Sequence, residues 1–123
     1  MKKIILKSLQ LQAQMKILHW QTTSFAEHNA FGGFYSATDD LIDKLVEAVQ
    51  GKYGRIFLGG IDSIPVSDYS NLKLNVFIMD METFFCNEIF ICGIDKNKDA
   101  EIDNIIQEIR GEIDKLKYLL TLK

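Results

Sequence analysis

Proline is almost missing from this sequence: Pro65 is the only one in 123 residues. Proline breaks a helix interior because it removes an amide donor and clashes with the preceding turn. Its absence elsewhere leaves long stretches free to run as uninterrupted helix. Cysteine is nearly as scarce. Cys86 and Cys92 stand six apart, form no Cys-x-x-Cys pair and have no second pair to join, which excludes a thiolate zinc site. A multi-disulfide framework is excluded on the same count, and packed, reduced thiols in a cytoplasmic protein are the expectation. No apolar run approaches the ~20 residues that a membrane span needs. The apolar residues after Met1-Lys2-Lys3 are broken at Lys7, Ser8 and Gln10, which is not the pattern of a secretory leader.

Neither sign of charge is in large excess. Fourteen Lys and Arg face seventeen Asp and Glu, a net charge of −3. No strong general attraction to nucleic acid or to an anionic membrane follows from such a balance, and neither is an expected partner. Lys2, Lys3 and Lys7 make only a small basic cluster. Residues 1–60 hold seven basic and five acidic side chains, and residues 61–123 hold seven and twelve, so the second half presents a moderately acidic surface. The length suits one domain, 1–123, with a real core. Its 47% hydrophobic and 25% charged content is ordinary for a globular protein.

What is present is helical periodicity, and it predicts an all-α fold. Residues 3–21 read as a first helix with two apolar stripes. Leu6, Leu9, Ala13, Ile17 and Trp20 recur at intervals of three and four, the mark of a core-facing stripe. Leu11, Met15 and Leu18 form a second stripe about 140° round the wheel, expected at an interface with another subunit. A second helix is predicted over 26–53, with Phe31, Phe34, Tyr35, Leu41, Ile42, Leu45 and Val49 on its apolar face. Gly32-Gly33 within it costs helix propensity and suits the close approach of another group. Residues 54–70 carry Pro65 and a cluster of glycines, and so read as one long irregular connection. The third helix, predicted over 71–92, is apolar all round (Leu72, Val76, Phe77, Met79, Phe84, Phe85, Ile89, Phe90) and reads as buried and central. After a turn at 93–97 a fourth helix runs to about 122, with Ile102, Ile105, Ile109, Ile113, Leu116 and Leu120 facing inward. Asp95, Asn97 and Asp99 imitate the opening of a calcium loop. Ala100 replaces its required glycine, and Ile106 its bidentate Glu, so a helix N-terminus explains these acids better. A connection of this length crosses a bundle rather than turning a hairpin, and the expected architecture is a ferritin-like four-helix bundle with one long crossover between helices two and three.

The residues able to do chemistry are concentrated between positions 19 and 47. His19 and His28 are the only histidines in the chain. Asp43 and Glu47, four apart, stack on one face of the second helix. Two imidazoles and two carboxylates suit iron or a similar divalent metal. Helix rise forbids one chain from assembling them. From His28 to Asp43 is fifteen residues (43 − 28), or roughly 22 Å along a helix. If the four are ligands of one ion, the histidines of one subunit must meet the carboxylates of another, which a two-fold homodimer achieves twice. Lys16 and Phe25 stand three residues before the histidines, so the paired Glu-x-x-His motifs of bundle di-iron sites are absent. No His-Glu-x-x-His, nucleophile elbow or phosphate-binding glycine loop is present either.

The run Leu18-His19-Trp20, Phe25, His28-x-x-Phe31-x-x-x-Tyr35 and Asp43-x-x-x-Glu47 resembles the Dps family of mini-ferritins. The resemblance implies a ferritin-like bundle and a ferroxidase site that uses two histidines from one subunit and the Asp-x-x-x-Glu of its two-fold mate. It assigns His19 and His28 as ligands of one iron, Asp43 as the bridging carboxylate and Glu47 as the ligand completing coordination. Zinc can substitute for iron in such a donor set. The resemblance further implies Fe(II) oxidation by hydrogen peroxide or oxygen, iron detoxification and storage, and a homodimer that can build into a larger shell. Three features differ. The His19–His28 interval is nine residues, three shorter than in the family, Gly32 stands where many members carry an acid, and the long basic N-terminal arm is missing. The alternative expectation, from a different class, is a non-enzymatic helical homo-oligomer that binds a protein partner and has lost ferroxidase activity.

Overall fold

A computed structural model describes residues 1–60 and 62–122, and every regular element among them is helical. The first helix is Lys2–Gln21, the second Phe25–Tyr53, and the last, here the fourth, Ala100–Leu119. The third is built of three consecutive pieces: an α-helix over Leu74–Thr83, a π-helical turn over Phe84–Glu88 and a closing α-turn over Ile89–Ile91. A short 3-10 turn, Tyr69–Asn71, precedes it. No described helix is long and apolar enough to cross a membrane.

The first helix turns inward a different face from the one its spacing predicts. Its buried residues are Ile4, Ser8, Leu11, Gln14, Met15 and Leu18, so the stripe expected at an interface is the core stripe. Of the stripe expected in the core, Leu9 and Trp20 are exposed, and Leu6, Ala13 and Ile17 are half-buried. Two polar residues, Ser8 and Gln14, hide the true stripe from a hydrophobicity pattern. Gln14 is covered by the connection between the second and third helices. Its Nε2 donates to the Ser67 carbonyl at 2.9 Å and its Oε1 accepts the Ser67 amide at 2.8 Å. That paired bond satisfies a side chain whose burial would otherwise cost about 1–3 kcal/mol.

The same connection lies beside the first helix from end to end. Lys2 pairs with Asp62 at 3.0 Å, Gln14 holds Ser67, and Gln21 bonds the Asp68 carboxylate at 2.9 Å and the Tyr69 amide at 2.7 Å. At the far end of the bundle Lys3 pairs with Glu88 at 3.2 Å, tying the start of the first helix to the end of the third.

The third helix is less buried than its composition predicts. Phe77, Ile78, Met81, Phe84, Phe85 and Ile89 are in the core, but Val76, Met79 and Ile91 are exposed. The π turn is the reason Phe84 and Phe85 both enter the core. Neighbours on an α-helix point about 100° apart, and a wider turn brings the two rings into one edge-to-face pair with centroids 5.1 Å apart. On the fourth helix Ile106, not Ile105, joins Ile102, Ile109, Ile113 and Leu116 in the core. Cys86 and Cys92 are free thiols, half-buried.

Asp99 ties three segments together. It stands at the N-cap position of the fourth helix, where its side chain makes no capping bond to the helix, and is fully buried. Its Oδ2 accepts the Asp95 amide at 2.8 Å and the Tyr53 hydroxyl at 2.5 Å. Lys52 Nζ lies 2.6 Å from its Oδ1 as an ion pair. Lys52 also bonds the Lys98 carbonyl at 2.7 Å and Glu101 at 3.1 Å. Asp95 receives the amides of Asn97 and Lys98. The acids that imitate a calcium loop are thus absorbed in turn hydrogen bonds and an ion pair at the start of the fourth helix. The Asp95 amide, then Lys52 and Tyr53, hold the Asp99 carboxyl down at about 2, while Asp99 and Glu101 push Lys52 up to about 12. A carboxyl depressed on folding contributes stability that is present above its unfolded value, near 4, and is lost as pH falls toward 2. Asp99→Asn is expected to lower the melting temperature at neutral pH by about 5 °C or more. Its melting temperature should also vary less than the wild type's between pH 4 and 2, as followed by circular dichroism.

Candidate metal centre

Three residues, 22–24, join the first two helices, and side-chain caps fix their course. Ser24 accepts the Glu27 amide at 3.2 Å as the N-cap of the second helix. Thr22 Oγ1 accepts the Ser24 amide at 3.1 Å and donates to the Glu27 carboxylate at 2.7 Å. Tyr69 donates to the same carboxylate at 2.7 Å. That bond, followed by burial, raises the Tyr69 hydroxyl above its ordinary pKa. The helical hairpin is thereby fastened at its tip, where the two histidines lie.

His19 and His28 clasp each other across that tip. His19 Nδ1 lies 2.7 Å from the His28 carbonyl, and His28 Nδ1 lies 2.9 Å from the His19 carbonyl. A carbonyl oxygen can only accept, so both Nδ1 atoms carry their protons and donate. In the neutral ring each Nε2 is then left with its lone pair, and neither has a hydrogen-bond partner among the described residues. The rings are stacked, with centroids 3.8 Å apart and planes 18° from parallel. Both side chains are half-buried.

Further groups confine the stack. The Tyr35 ring stands edge-on to His19, at 5.3 Å and 85°. Phe25 extends the column beyond His28 at 6.5 Å. Phe25 and Trp20 are 78% and 70% exposed, large apolar surfaces beside the histidines with no cover from this chain. Gly32 backs the His19 ring so closely that a Cβ there would lie 2.8 Å from Cε1 and 2.9 Å from Nδ1. The close approach that the Gly32-Gly33 pair suggests in the sequence is therefore to a histidine ring, and only at Gly32. Nothing lies within 4 Å of a Cβ on Gly33.

Asp43 and Glu47 are both exposed on the second helix. That helix is continuous from Phe25 to Tyr53, so the separation of His28 and Asp43 by fifteen residues of helix stands. Neither carboxylate is in an ion pair among the described residues. Within one chain, no three described His, Cys, Asp and Glu side chains gather as a group able to hold an ion. The structure thus brings His19 and His28 together and leaves Asp43 and Glu47 elsewhere on the same subunit.

The stack also bears on how the imidazoles could share an ion. A nitrogen lone pair lies in its ring plane, and planes only 18° apart meet far beyond a metal–nitrogen bond of about 2.0–2.1 Å. As stacked, the two rings cannot ligate one ion. Either each nitrogen serves its own ion, or one ring turns out of the stack first. Gly32 and Tyr35, which flank His19, are not recognisable as ligands in the sequence, because glycine has no donor side chain and a neutral phenol is a poor ligand for a divalent ion. Gly32 is foreshadowed by its low helix propensity, but nothing in the sequence says which ring it admits.

A family described as "Family of unknown function (DUF5856)" matches residues 19–120. An uncharacterized 14.6 kDa protein of the mobD-ri intergenic region of Enterobacteria phage T4 is 30% identical over 112 residues, covering 91% of this chain and 80% of the phage protein. No solved structure matches the chain.

The two glycines give opposite expectations. Gly33→Ala should stabilise the second helix by up to about 1 kcal/mol, the propensity difference alone. Gly32→Ala gains the same propensity but collides with His19, and overpacking of about 1–3 kcal/mol should cancel or outweigh the gain. Urea unfolding of the two variants checks this. Equal stabilisation by both would show that His19 does not occupy this position in solution.

Proposed function

This chain belongs to the DUF5856 family, and we propose that it is a Dps-like iron-binding protein that oxidises Fe(II) at a site shared between two subunits. The observation that carries the proposal is the histidine clasp. Two imidazoles are held with Nδ1–H on main-chain carbonyls and Nε2 unengaged, which is how metal-ligating histidines are normally oriented.

The donor set fits iron. His19 and His28 supply neutral nitrogen donors, and Asp43 and Glu47 of a second copy supply anionic oxygens, a mixture suited to borderline and hard divalent ions. Fe(II) is substrate here, oxidised by hydrogen peroxide or oxygen, with zinc a substitute for binding but not for turnover. Two Fe(II) ions supply the two electrons that cleave the O–O bond of one hydrogen peroxide, which takes up two protons and leaves as two waters while each iron becomes Fe(III). The separation of His28 from Asp43 along a continuous helix supports a homodimer at minimum. Its interface lies on the outward stripe of the first helix and the hairpin tip, around Leu9, Trp20 and Phe25. Leu11, Met15 and Leu18 belong to the core and are withdrawn from that role.

The course of the connection supports the ferritin-like assignment. It keeps company with the first helix from Lys2 to Gln21, as a crossover between parallel second and third helices would. A nucleic-acid role gains nothing. Lys2 and Lys3 are occupied by Asp62 and Glu88, and few phosphate contacts remain for a salt-resistant complex. The exposed Trp20 and Phe25 favour one second reading, a non-enzymatic homo-oligomer that uses the same face to bind a protein partner.

Stopped-flow absorbance after mixing with Fe(II) and peroxide decides between them. Ferric product should form roughly tenfold faster or more with the wild type than with Asp43→Ala, on the scale of losing a metal-site group. Equal rates would leave the non-enzymatic reading. Sharing is tested by mixing subunits. His28→Ala and Asp43→Ala subunits, exchanged one to one, form heterodimers with one intact site in two. Half the dimers are heterodimers, so about one quarter of all sites should recover metal binding under two-fold symmetry. A mixture that binds no more metal than either variant alone, once subunit exchange is demonstrated, would refute the shared site.

A further inference from the structure

His19 is held on more sides than His28, and the extra restraint comes from a residue that cannot itself bind a divalent ion as a neutral phenol. The imidazole χ2 torsion is broad and roughly two-fold. A single Nδ1 hydrogen bond therefore leaves a half-buried ring free to turn over and exchange the positions of Nδ1 and Nε2. His28 lies across one face of His19 at 3.8 Å. Gly32 backs its Cε1 and Nδ1 edge. The remaining restraint is the Tyr35 ring, edge-on at 5.3 Å. Tyr35 is itself anchored, half-buried against the core, with the Lys16 ammonium 5.4 Å from its ring centroid. A cation over an aromatic face is attracted by the ring quadrupole, so Lys16 helps fix the plane of the ring that His19 meets.

We propose that Tyr35 is a positioning residue for this site: its ring, backed by Lys16, fixes His19 in the orientation that donates Nδ1–H to the His28 carbonyl and leaves Nε2 free for a metal. This rests on the metal-binding role proposed above, but the orientation of His19 can be observed without any metal. The tyrosine hydroxyl plays no part in the restraint, so phenylalanine should replace it and a non-aromatic residue should not.

The expected size follows from population arithmetic. If loss of the ring lets His19 spend nine-tenths of its time turned over or swung out, apparent metal affinity falls about tenfold, by the fraction left competent. The test uses full-length wild type, Tyr35→Phe and Tyr35→Leu, with Tyr35→Met as the space-filling substitute should the leucine variant fold poorly. Nitrogen-15 chemical shifts of the two histidines report tautomer and hydrogen bonding without metal, and Co(II) titration reports binding. Tyr35→Phe should match the wild type in both. Tyr35→Leu should show altered His19 ring signals with those of His28 little changed, together with roughly tenfold weaker Co(II) binding. Unchanged His19 signals and affinity in a folded Tyr35→Leu protein would overturn the proposal, as would a Tyr35→Phe protein that behaves like Tyr35→Leu. A wild type that binds no Co(II) would count against the metal role itself, while the nitrogen shifts would still decide what Tyr35 does to His19.

Discussion

The mutual hydrogen bonding of His19 and His28 across a three-residue link is the constraint on which the rest of the site depends. Each ring donates to the other's main chain, so the pair exists only while the end of the first helix and the start of the second keep one separation. That separation is set by ordinary means. Ser24 caps the second helix, Thr22 and Tyr69 converge on Glu27, and Gln21 holds the start of the following turn. None of these bonds is unusual singly, each contributing about 0.5–1.5 kcal/mol. Together they hold the two backbones at the separation that lets the imidazoles meet. The short interval between the histidines, which departs from the Dps pattern, then has a structural counterpart: nine residues bring the rings into stacking contact.

Polar fastening recurs at both ends of the bundle and compensates for a connection with little core of its own. Gln14 gives up a position in the apolar stripe of the first helix to bind Ser67, trading hydrophobic burial for a definite course of the chain. At the opposite end Asp99 is buried with the Asp95 amide, Lys52 and Tyr53 as its partners. A buried carboxylate is tolerable only when its lone pairs are engaged, and here the engagement joins the second helix, the last turn and the fourth helix at one point. The apolar core, with Phe31, Phe84 and Phe85 wholly enclosed, holds the helices together, while these polar contacts decide how they are placed.

Much of this was legible beforehand. The helical elements and the long connection follow from periodicity and from the single proline, and a helix N-terminus near Asp99 follows from the defects of the calcium-loop pattern. The failures have physical causes. Ser8 and Gln14 interrupt the core stripe of the first helix, so its outward stripe is the more regular of the two in hydrophobicity. Apolar composition overstated the burial of the third helix, because hydrophobic residues are also common on surfaces and the π turn rotates the register partway along. Ile105 and Ile106 differ by one position, and a slip of one residue in the three-and-four spacing is enough to exchange them.

Residue identity and helix rise were enough to determine that one subunit cannot bring His28 and Asp43 to the same ion, because fifteen residues of continuous helix are roughly 22 Å long whatever surrounds them. The candidate ligand types, the all-helical class and the span of the connection likewise depend on local chain properties. The stacking of the two imidazoles, the nitrogen each leaves free, the ring that Gly32 admits and the face of the first helix that meets the core were decided by tertiary structure alone. Each depends on atoms distant in the chain meeting within a few tenths of an ångström, and no local pattern of hydrophobicity or spacing encodes a distance between two helices.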